Sequence, residues 1–158
     1  MLKQKRHKCE VDVWEVMTFH YLMFRAFCQA TEDEAKVISA IKFVSGSDDI
    51  SVTKSLGFHG NPIMILETEI KSKKRIDSVF LNLGHQYIRE LRDTLESRLD
   101  DDSNFFFRLD KQQAFLGKIV ATTHDDVIAV KGKVKAYPNN RENAKKVLFD
   151  YLDRLLSG

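Results

Sequence analysis

The sequence predicts one α+β domain, built on a mixed, mainly antiparallel sheet with helices packed on one face. Of its 158 residues, 43% are hydrophobic and 30% are charged, which is typical of a globular domain and not of a disordered chain. Strand-like and helix-like patterns are interspersed without the strict strand–helix alternation of a parallel sheet. No Pro/Gly/Ser-rich linker divides the chain. We therefore expect a single domain over residues 1–158, with a basic N-terminal tail over residues 1–8.

The first part of the chain predicts one long strand followed by one helix. Residues 9–29 are rich in aromatic and β-branched side chains with partial alternation, which favours a long or bent strand. Thr31 and Glu34 have the spacing of a capping box, with Thr31 as the N-cap. Apolar residues then recur at helical spacing, and Gly46 stands where a helix commonly ends. The apolar face of this helix consists of Ala35, Ile38 and Ile41, continued by Val44.

The remaining elements follow from similar patterns. Strands are expected over residues 50–56, 63–70, 105–109, 115–121 and 127–136. The helical pattern over residues 76–99 is either one helix or two, because Gly84 can break it. Asn139 or Asn140 is expected to cap a last helix after Pro138. The apolar face of that helix is predicted to be Ala144, Val147, Leu148, Tyr151 and Leu155. The side chains expected to be largely buried are Trp14, Phe19, Ile38, Ile41, Phe80, Leu91, Phe106, Val147 and Leu148.

Composition and motifs argue against several classes of protein. The stretch without formal charge at residues 16–24 is far shorter than the roughly 20 residues of a membrane helix. The N-terminus lacks the pattern of a signal peptide, and two cysteines make no disulfide framework, so we expect a cytoplasmic protein. The cysteines and histidines lack zinc-site spacing, and no P-loop, nucleophile elbow or dinucleotide fingerprint occurs. We therefore expect no cofactor, no metal and no enzymatic activity.

Basic residues cluster in two segments. Lys71, Lys73, Lys74 and Arg75 come together at the expected start of a helix, where cations oppose the helix dipole. Lys131, Lys133 and Lys135 alternate along a predicted strand, which places three ammonium groups on one face. Like charges at this spacing repel each other, so the pattern indicates either an anionic partner or a well-solvated surface.

Two polar turns could also contact a nucleic acid. The segment 57–62 contains Phe58, His59 and Gly60, which could offer a stacking ring, a donor and a closely approaching backbone. It could equally be a plain hairpin turn. The segment 108–118 contains Arg108, Lys111 and Gln112, whose donors suit phosphates and base edges. A surface turn would have a similar composition.

His124, Asp125 and Asp126 form a third polar group, which could bind a divalent ion. The same residue types are ordinary in turns between strands, and that interpretation is favoured.

Four short motifs resemble, in order, an archaeal family of predicted RNA-binding proteins and predicted exosome subunits. They are Thr31-Glu32-Asp33-Glu34 with Val37, Gly57-Phe58-His59-Gly60-Asn61-Pro62, Arg108-Leu109-Asp110-Lys111-Gln112 with Phe115 and Gly117, and Asp125-Asp126-Val127-Ile128. The resemblance runs from about Val11 to the last helix. It implies a fold similar to the large-subunit ribosomal protein that holds 5S RNA, and an RNA-linked role for His59, Gly60, Arg108, Lys111 and Gln112.

We therefore expect a non-enzymatic RNA-binding protein, an accessory factor of archaeal RNA processing or ribosome-related metabolism. It could belong to a protein complex or form a homodimer. Two alternatives stay open. One is a divalent-metal phosphoesterase that uses His59, His124, Asp125 and Asp126. The other is a structural subunit that binds protein partners through a sheet edge or the long helix.

Overall fold

A computed structural model describes residues 17–57, 60–122 and 126–157, and these form a five-stranded antiparallel sheet with six helices. The strands are β1 (Phe19–Cys28), β2 (Ser51–Leu56), β3 (Pro62–Ile70), β4 (Asn104–Asp110) and β5 (Val127–Val134). The helices are α1 (Glu34–Ser45), α2 (Lys73–Leu83), α3 (His85–Asp93), α4 (Leu95–Arg98), α5 (Lys111–Phe115) and α6 (Arg141–Ser157). The strand order is β2-β3-β1-β5-β4. The predicted α+β class is confirmed.

The helices cover one face of the sheet, because alternate strand residues point to opposite faces. In the central strand β1, Leu22, Phe24 and Ala26 are fully buried, whereas the residues between them are half-buried or exposed. Strand pairing carries this alternation across the sheet. Phe24 lies opposite Val130 on β5, and Val130 lies opposite Phe107 on β4.

Aromatic rings join the helices to the buried face. The Phe80 ring on α2 stacks on Phe19 of β1 with a centroid distance of 5.2 Å. The same ring meets Tyr151 of α6 edge-on at 5.4 Å and Phe107 of β4 at 5.7 Å. Such aromatic pairs contribute about 0.5–1.5 kcal/mol each beyond the area they bury. The cluster therefore fixes α2 and α6 against the middle of the sheet.

The first helix begins two residues later than the predicted capping box. Asp33 is the N-cap, and its Oδ1 accepts a hydrogen bond of 3.0 Å from the Ala35 amide. The prediction that Thr31 caps this helix is wrong, because the aspartate is the nearer acceptor. Gly46 ends the helix as predicted, with a left-handed φ of 70°.

The helical pattern over residues 76–99 corresponds to α2, α3 and α4 in succession. Gly84, with φ 87° and ψ 156°, separates α2 from α3. Thr94 separates α3 from the short α4. The break at Gly84 agrees with the alternative of two helices, but the second break at Thr94 gives a third, short helix that neither alternative predicted.

The predicted strand over residues 115–121 is wrong. Strand β4 passes directly into α5, because Asp110 caps that helix by accepting a 2.9 Å hydrogen bond from the Gln113 amide. The residues from 116 to 121 form no strand, and an isolated bridge joins Ala121 to Leu109 of β4. Helix capping by Asp110 therefore outweighs the strand propensity of the β-branched and aromatic residues in this segment.

The last helix and most of the predicted core have the expected positions. Asn140 precedes α6 and accepts a hydrogen bond of 2.8 Å from the Asn143 amide. The buried members of the predicted core are Phe19, Ile41, Phe80, Leu91 and Leu148, while Ile38 and Val147 are half-buried. Trp14 lies outside the described residues.

Phe106 is the exception in that core. Its side chain is 42% exposed, because it belongs to the face of β4 that the helices leave uncovered. Within the described ranges, no helix has both the length and the apolar character needed to cross a membrane.

Candidate nucleic-acid interface

The uncovered side of the sheet carries a set of basic and aromatic residues, which we call the open face. It consists of Tyr21, Met23, Arg25 and Phe27 on β1, Lys131 and Lys133 on β5, and Phe106 and Arg108 on β4. Strand register sets the neighbours. Lys131 lies between Met23 and Phe106, and Lys133 is opposite Tyr21. Because adjacent strands are about 4.8 Å apart, these side chains form one continuous surface.

The positive charge of the open face is concentrated on β5 and β4. Neither Lys131 nor Arg108 forms an ion pair with a carboxylate among residues 17–57, 60–122 and 126–157. The ammonium group of Lys133 donates a hydrogen bond to the carbonyl of Asp102, and its positive charge also acts on the Asp100 carboxylate. Lys131 and Arg108 are therefore the cations of the open face most available to an anionic ligand.

The β3 side of the sheet is acidic. Arg25 donates two hydrogen bonds, of 2.8 and 3.0 Å, to Oε2 of Glu67, so its charge is already paired. Glu69 lies opposite Met23 and is exposed. The electrostatic surface thus changes sign across β1.

A second group of cations lies at one end of the sheet. Ile70 pairs with Leu22 beside the pair of Tyr21 and Lys133, so the segment after β3 emerges at the same end as the end of β5. Lys74 and Arg75 are exposed at the start of α2, while Lys73 is held by Asp77 at 2.5 Å. Lys135 is exposed just beyond β5. Of the three lysines predicted to share one strand face, Lys131 and Lys133 lie on the open face and Lys135 lies at its end.

The described residues of the motif over 57–62 lie at the opposite end, where Leu56 pairs with Pro62. Gly60 is exposed in this connection, and its amide donates to the carbonyl of Gly57 at 2.9 Å. Phe58 and His59 lie outside the described residues. This motif and the lysines of the second group are therefore separated by the length of the sheet.

Lys111 is buried and takes no part in the open face. Its side chain is only 4% exposed, and its ammonium lies 2.8 Å from Glu32, 2.7 Å from Asp126 and 2.8 Å from the carbonyl of Phe27. Burial alone would lower the pKa of Lys111, but hydrogen bonds to the two carboxylates outweigh it and hold the pKa above its ordinary value. An ammonium has three donors, and all three are in use. Lys111 therefore has no free donor for the RNA contact that the sequence predicted for it.

Gln112 is exposed next to this cluster and donates to Asp126 at 3.2 Å. The Lys111 cluster therefore ties the start of α5 to the loop after β1 and to the residue before β5. His59, His124 and Asp125, which the phosphoesterase alternative requires, lie outside the described residues. Across the part of the chain that the structure describes, no group of three His, Cys, Asp or Glu side chains could hold a metal ion.

Sequence reasoning missed the aromatic part of the open face. Phe106 was expected in the core, and Tyr21, Met23 and Phe27 were read only as part of an apolar strand. A sequence pattern could have revealed the exposed position of these rings, because Phe106 shares its strand face with Arg108, and Phe27 shares its face with Arg25. An arginine two residues away on the same face indicates solvent.

Comparison with known proteins is consistent with this geometry. Residues 21–134 match the model of a family described as RNA binding. The RNA-binding protein PAB1135 of Pyrococcus abyssi is 34% identical over 144 residues, covering 85% of this chain and 94% of that protein.

Solved structures of archaeal proteins have a similar fold. Mth689, a DUF54 protein from Methanothermobacter thermautotrophicus, is 31% identical with a TM-score of 0.72, covering 89% of this chain and 99% of that one. SSO0741 from Sulfolobus solfataricus, also of the DUF54 family, is 25% identical with a TM-score of 0.65, covering 85% and 98% of the two chains.

The fold and the open face define an α+β protein with a one-sided antiparallel sheet, and the matching family model is described as RNA binding. The chain belongs to this RNA-binding family, which includes archaeal DUF54 proteins. The predicted family is confirmed. The exosome link and the likeness to the ribosomal protein stay predictions.

Proposed function

We propose that this protein binds RNA through the open face, which β1, β5 and β4 form. The observation that carries the proposal is that Lys131 and Arg108 lie on a sheet surface without helical cover and pair with no described carboxylate. Cations presented in this way neutralise phosphates and release counterions. Membership of a family described as RNA binding favours RNA over other polyanions.

The cations have different tasks in this proposal. Lys131 and Lys133 contact phosphates as point charges, which sets affinity without regard to base identity. The planar guanidinium of Arg108 fixes the register of the strand, since it can donate two parallel hydrogen bonds. The Tyr87 hydroxyl donates to the carbonyl of Arg108 at 3.0 Å, which anchors β4 at this position. Lys74, Arg75 and Lys135 extend the basic path at the end of the sheet.

A charge-neutralising triple variant tests the proposal. Lys131→Gln, Lys133→Gln and Arg108→Gln together should weaken RNA binding across sequences. Each lost phosphate contact should lower the slope of log affinity against log salt by about 0.7–0.9. The measurement is a titration of labelled RNA at several salt concentrations, with melting curves to verify that the variant is folded.

The matched control removes three exposed lysines that lie outside the strands of the sheet. Lys42, Lys118 and Lys146 are exposed on α1, after α5 and on α6, and their replacement by Gln changes the net charge equally. If both triple variants lose the same affinity, binding follows net charge and not the open face. If wild-type protein retains no RNA at low salt, the proposed function is wrong.

We further infer that the protein acts as an accessory factor in cytoplasmic RNA processing, and its resemblance to predicted exosome subunits supports this inference. Strand β2 supports a protein contact or a homodimer, because all six residues of this edge strand are exposed, including Val52 at 42% and Leu56 at 75%. An uncovered edge strand is a template for pairing with another strand. Sedimentation equilibrium of the wild type and of Val52→Lys tests the dimer, which the added charge should dissociate.

A further inference from the structure

Two phenylalanine rings on the open face are exposed, and the proposed contacts between cations and phosphates do not account for this exposure. Phe106 is 42% exposed and Phe27 is 46% exposed, although both lie within strands of the sheet. Electrostatic binding to phosphates gains nothing from an exposed ring. Large aromatic side chains that remain in water on a flat surface are instead suited to stacking against another planar group.

The rings are interleaved with the cations already described. Phe106 lies directly opposite Lys131, and Lys131 lies opposite Met23, so an aromatic ring, an ammonium and a thioether form one row across three strands. Arg108 lies two residues along β4 on the same face as Phe106, at a spacing of roughly 7 Å. A base on the Phe106 ring would therefore have cations on two sides to receive its flanking phosphates.

The acidic side of the sheet limits where a polyanion can pass. Glu67 already neutralises Arg25, and Glu69 is exposed opposite Met23. Phosphates are repelled from β3 and drawn towards β5 and β4. Phe27 lies four residues beyond Met23 on β1, so its distance from Phe106 is roughly 17 Å by strand geometry. At this separation the two rings would contact different bases of one RNA chain.

We propose that the RNA bound here is single-stranded and that its unpaired bases stack on Phe106 and Phe27. This inference rests on the proposed RNA binding. In a duplex the bases are stacked on one another, and the outside of an A-form helix offers phosphates and hydroxyls. A ring lying in a sheet surface reaches a base only when that base is unstacked. Stacking tolerates any base, because every base has a π-face.

The test compares two RNA probes with the full chain. One is an unstructured oligouridine of about 12 nucleotides, and the other is an RNA duplex of about 12 base pairs. Dissociation constants are measured between about 50 and 200 mM salt. The wild type should prefer the oligouridine. Phe106→Ala should weaken oligouridine binding about 5- to 100-fold without changing its salt dependence, and it should leave duplex binding unchanged.

Two further variants separate stacking from general damage. Phe106→Trp keeps a ring at the same position and should retain the affinity for oligouridine. Phe149→Ala removes a phenylalanine of similar exposure, 46% against 42% for Phe106, from α6 and should have no effect on RNA binding. A wild type that prefers the duplex, or a Phe106→Ala variant that weakens both probes equally, overturns the single-strand inference and leaves RNA binding intact. If the wild type binds neither RNA probe, both the proposed RNA binding and the single-strand inference are wrong.

Discussion

The position of Lys111 shows how one buried cation can organise three separate segments. Its ammonium joins Glu32 of the loop before α1, Asp126 before β5 and the carbonyl of Phe27 at the end of β1. Taking an ammonium out of water is unfavourable, and these three acceptors offset that penalty. The residue therefore holds one end of the sheet together.

Replacing Lys111 by Met should destabilise the fold by about 3 kcal/mol, because two carboxylates lose their ion pair with the buried ammonium. Because Asp126 is half-exposed, water solvates part of its carboxylate in the variant. The loss of stability is therefore expected at the lower end of the range of about 3–5 kcal/mol for a broken buried ion pair. Chemical denaturation in urea measures the change. Lys118→Met, on an exposed residue nearby, is the control and should change stability by less than about 0.5 kcal/mol. An equal effect of both substitutions would contradict the assigned role.

The difference between Lys111 and Lys131 could not be read from the sequence. Lys111 stands between Asp110 and Gln112, Lys131 stands between Val130 and Gly132, and both suit a basic surface. Lys111 is buried because α5 starts immediately after β4 and brings it against residues 79 and 15 positions away, at Glu32 and Asp126. Such contacts depend on tertiary arrangement, which local composition does not contain. Lys131 was placed correctly on a strand face, because period-two alternation is local.

At the scale of elements, β5 contains a glycine whose side-chain position is occupied by its neighbours. A Cβ atom on Gly132 would lie 2.7 Å from Cε1 of Phe19 and 2.8 Å from Cδ2 of Leu22. Gly132 is buried on the helix-covered side, between the two lysines of the open face. The strand can therefore pack tightly against the Phe19 ring only without a side chain there.

Gly132→Ala should destabilise the protein by about 1–3 kcal/mol, since the Phe19 ring must move within a packed core. Ala129→Val enlarges a residue on the same strand but on the open face, and it should be nearly neutral. Thermal melting of the two variants measures the difference. A neutral Gly132→Ala variant would mean that the ring has room to rotate away.

The elements themselves were largely predictable, while the face each strand presents was not. Alternation located β2, β3, β4 and β5 within a few residues, and spacing located α1 and α6. Strand β1 is apolar on both faces, so its pattern does not reveal which side the helices cover. Phe106 was misplaced for the same reason, because it stands between two core phenylalanines. The prediction of a strand over residues 115–121 was wrong because the Asp110 side chain caps a helix at this point through a local hydrogen bond.

At the scale of the whole molecule, buried phenols make the fold sensitive to alkali. Burial raises the pKa of Tyr87 to about 12. Burial, together with a hydrogen bond to the Asp77 carboxylate, raises the pKa of Tyr151 still further. Both groups stay neutral in the folded protein at a pH where an unfolded chain ionises them, near 10. Their contribution is complete below pH 10 and is lost as the pH rises above it.

The melting temperature should therefore fall steeply between about pH 10 and 12. The raised pKa of Lys111 acts in the same direction, because its stabilising charge is lost as the pH rises through the folded value. Tyr87→Phe should be slightly less stable at neutral pH, having lost the hydrogen bond to Arg108, yet its melting temperature should decline less over this range. Calorimetry across the pH series measures both slopes. A parallel decline in the two proteins would refute the role of Tyr87.

Three consecutive phenylalanines in β4 have a consequence for how this strand finds its partner. Phe105 and Phe107 face the helices, and Phe106 faces outward. A slip of one residue against β5 would exchange the inward and outward rings, and rings of identical size cannot distinguish the two pairings. The slipped pairing would also turn Arg108 into the apolar interior, where an unpaired guanidinium is strongly unfavourable. Arg108 thus leaves β4 a single stable alignment where the aromatic residues alone would allow two.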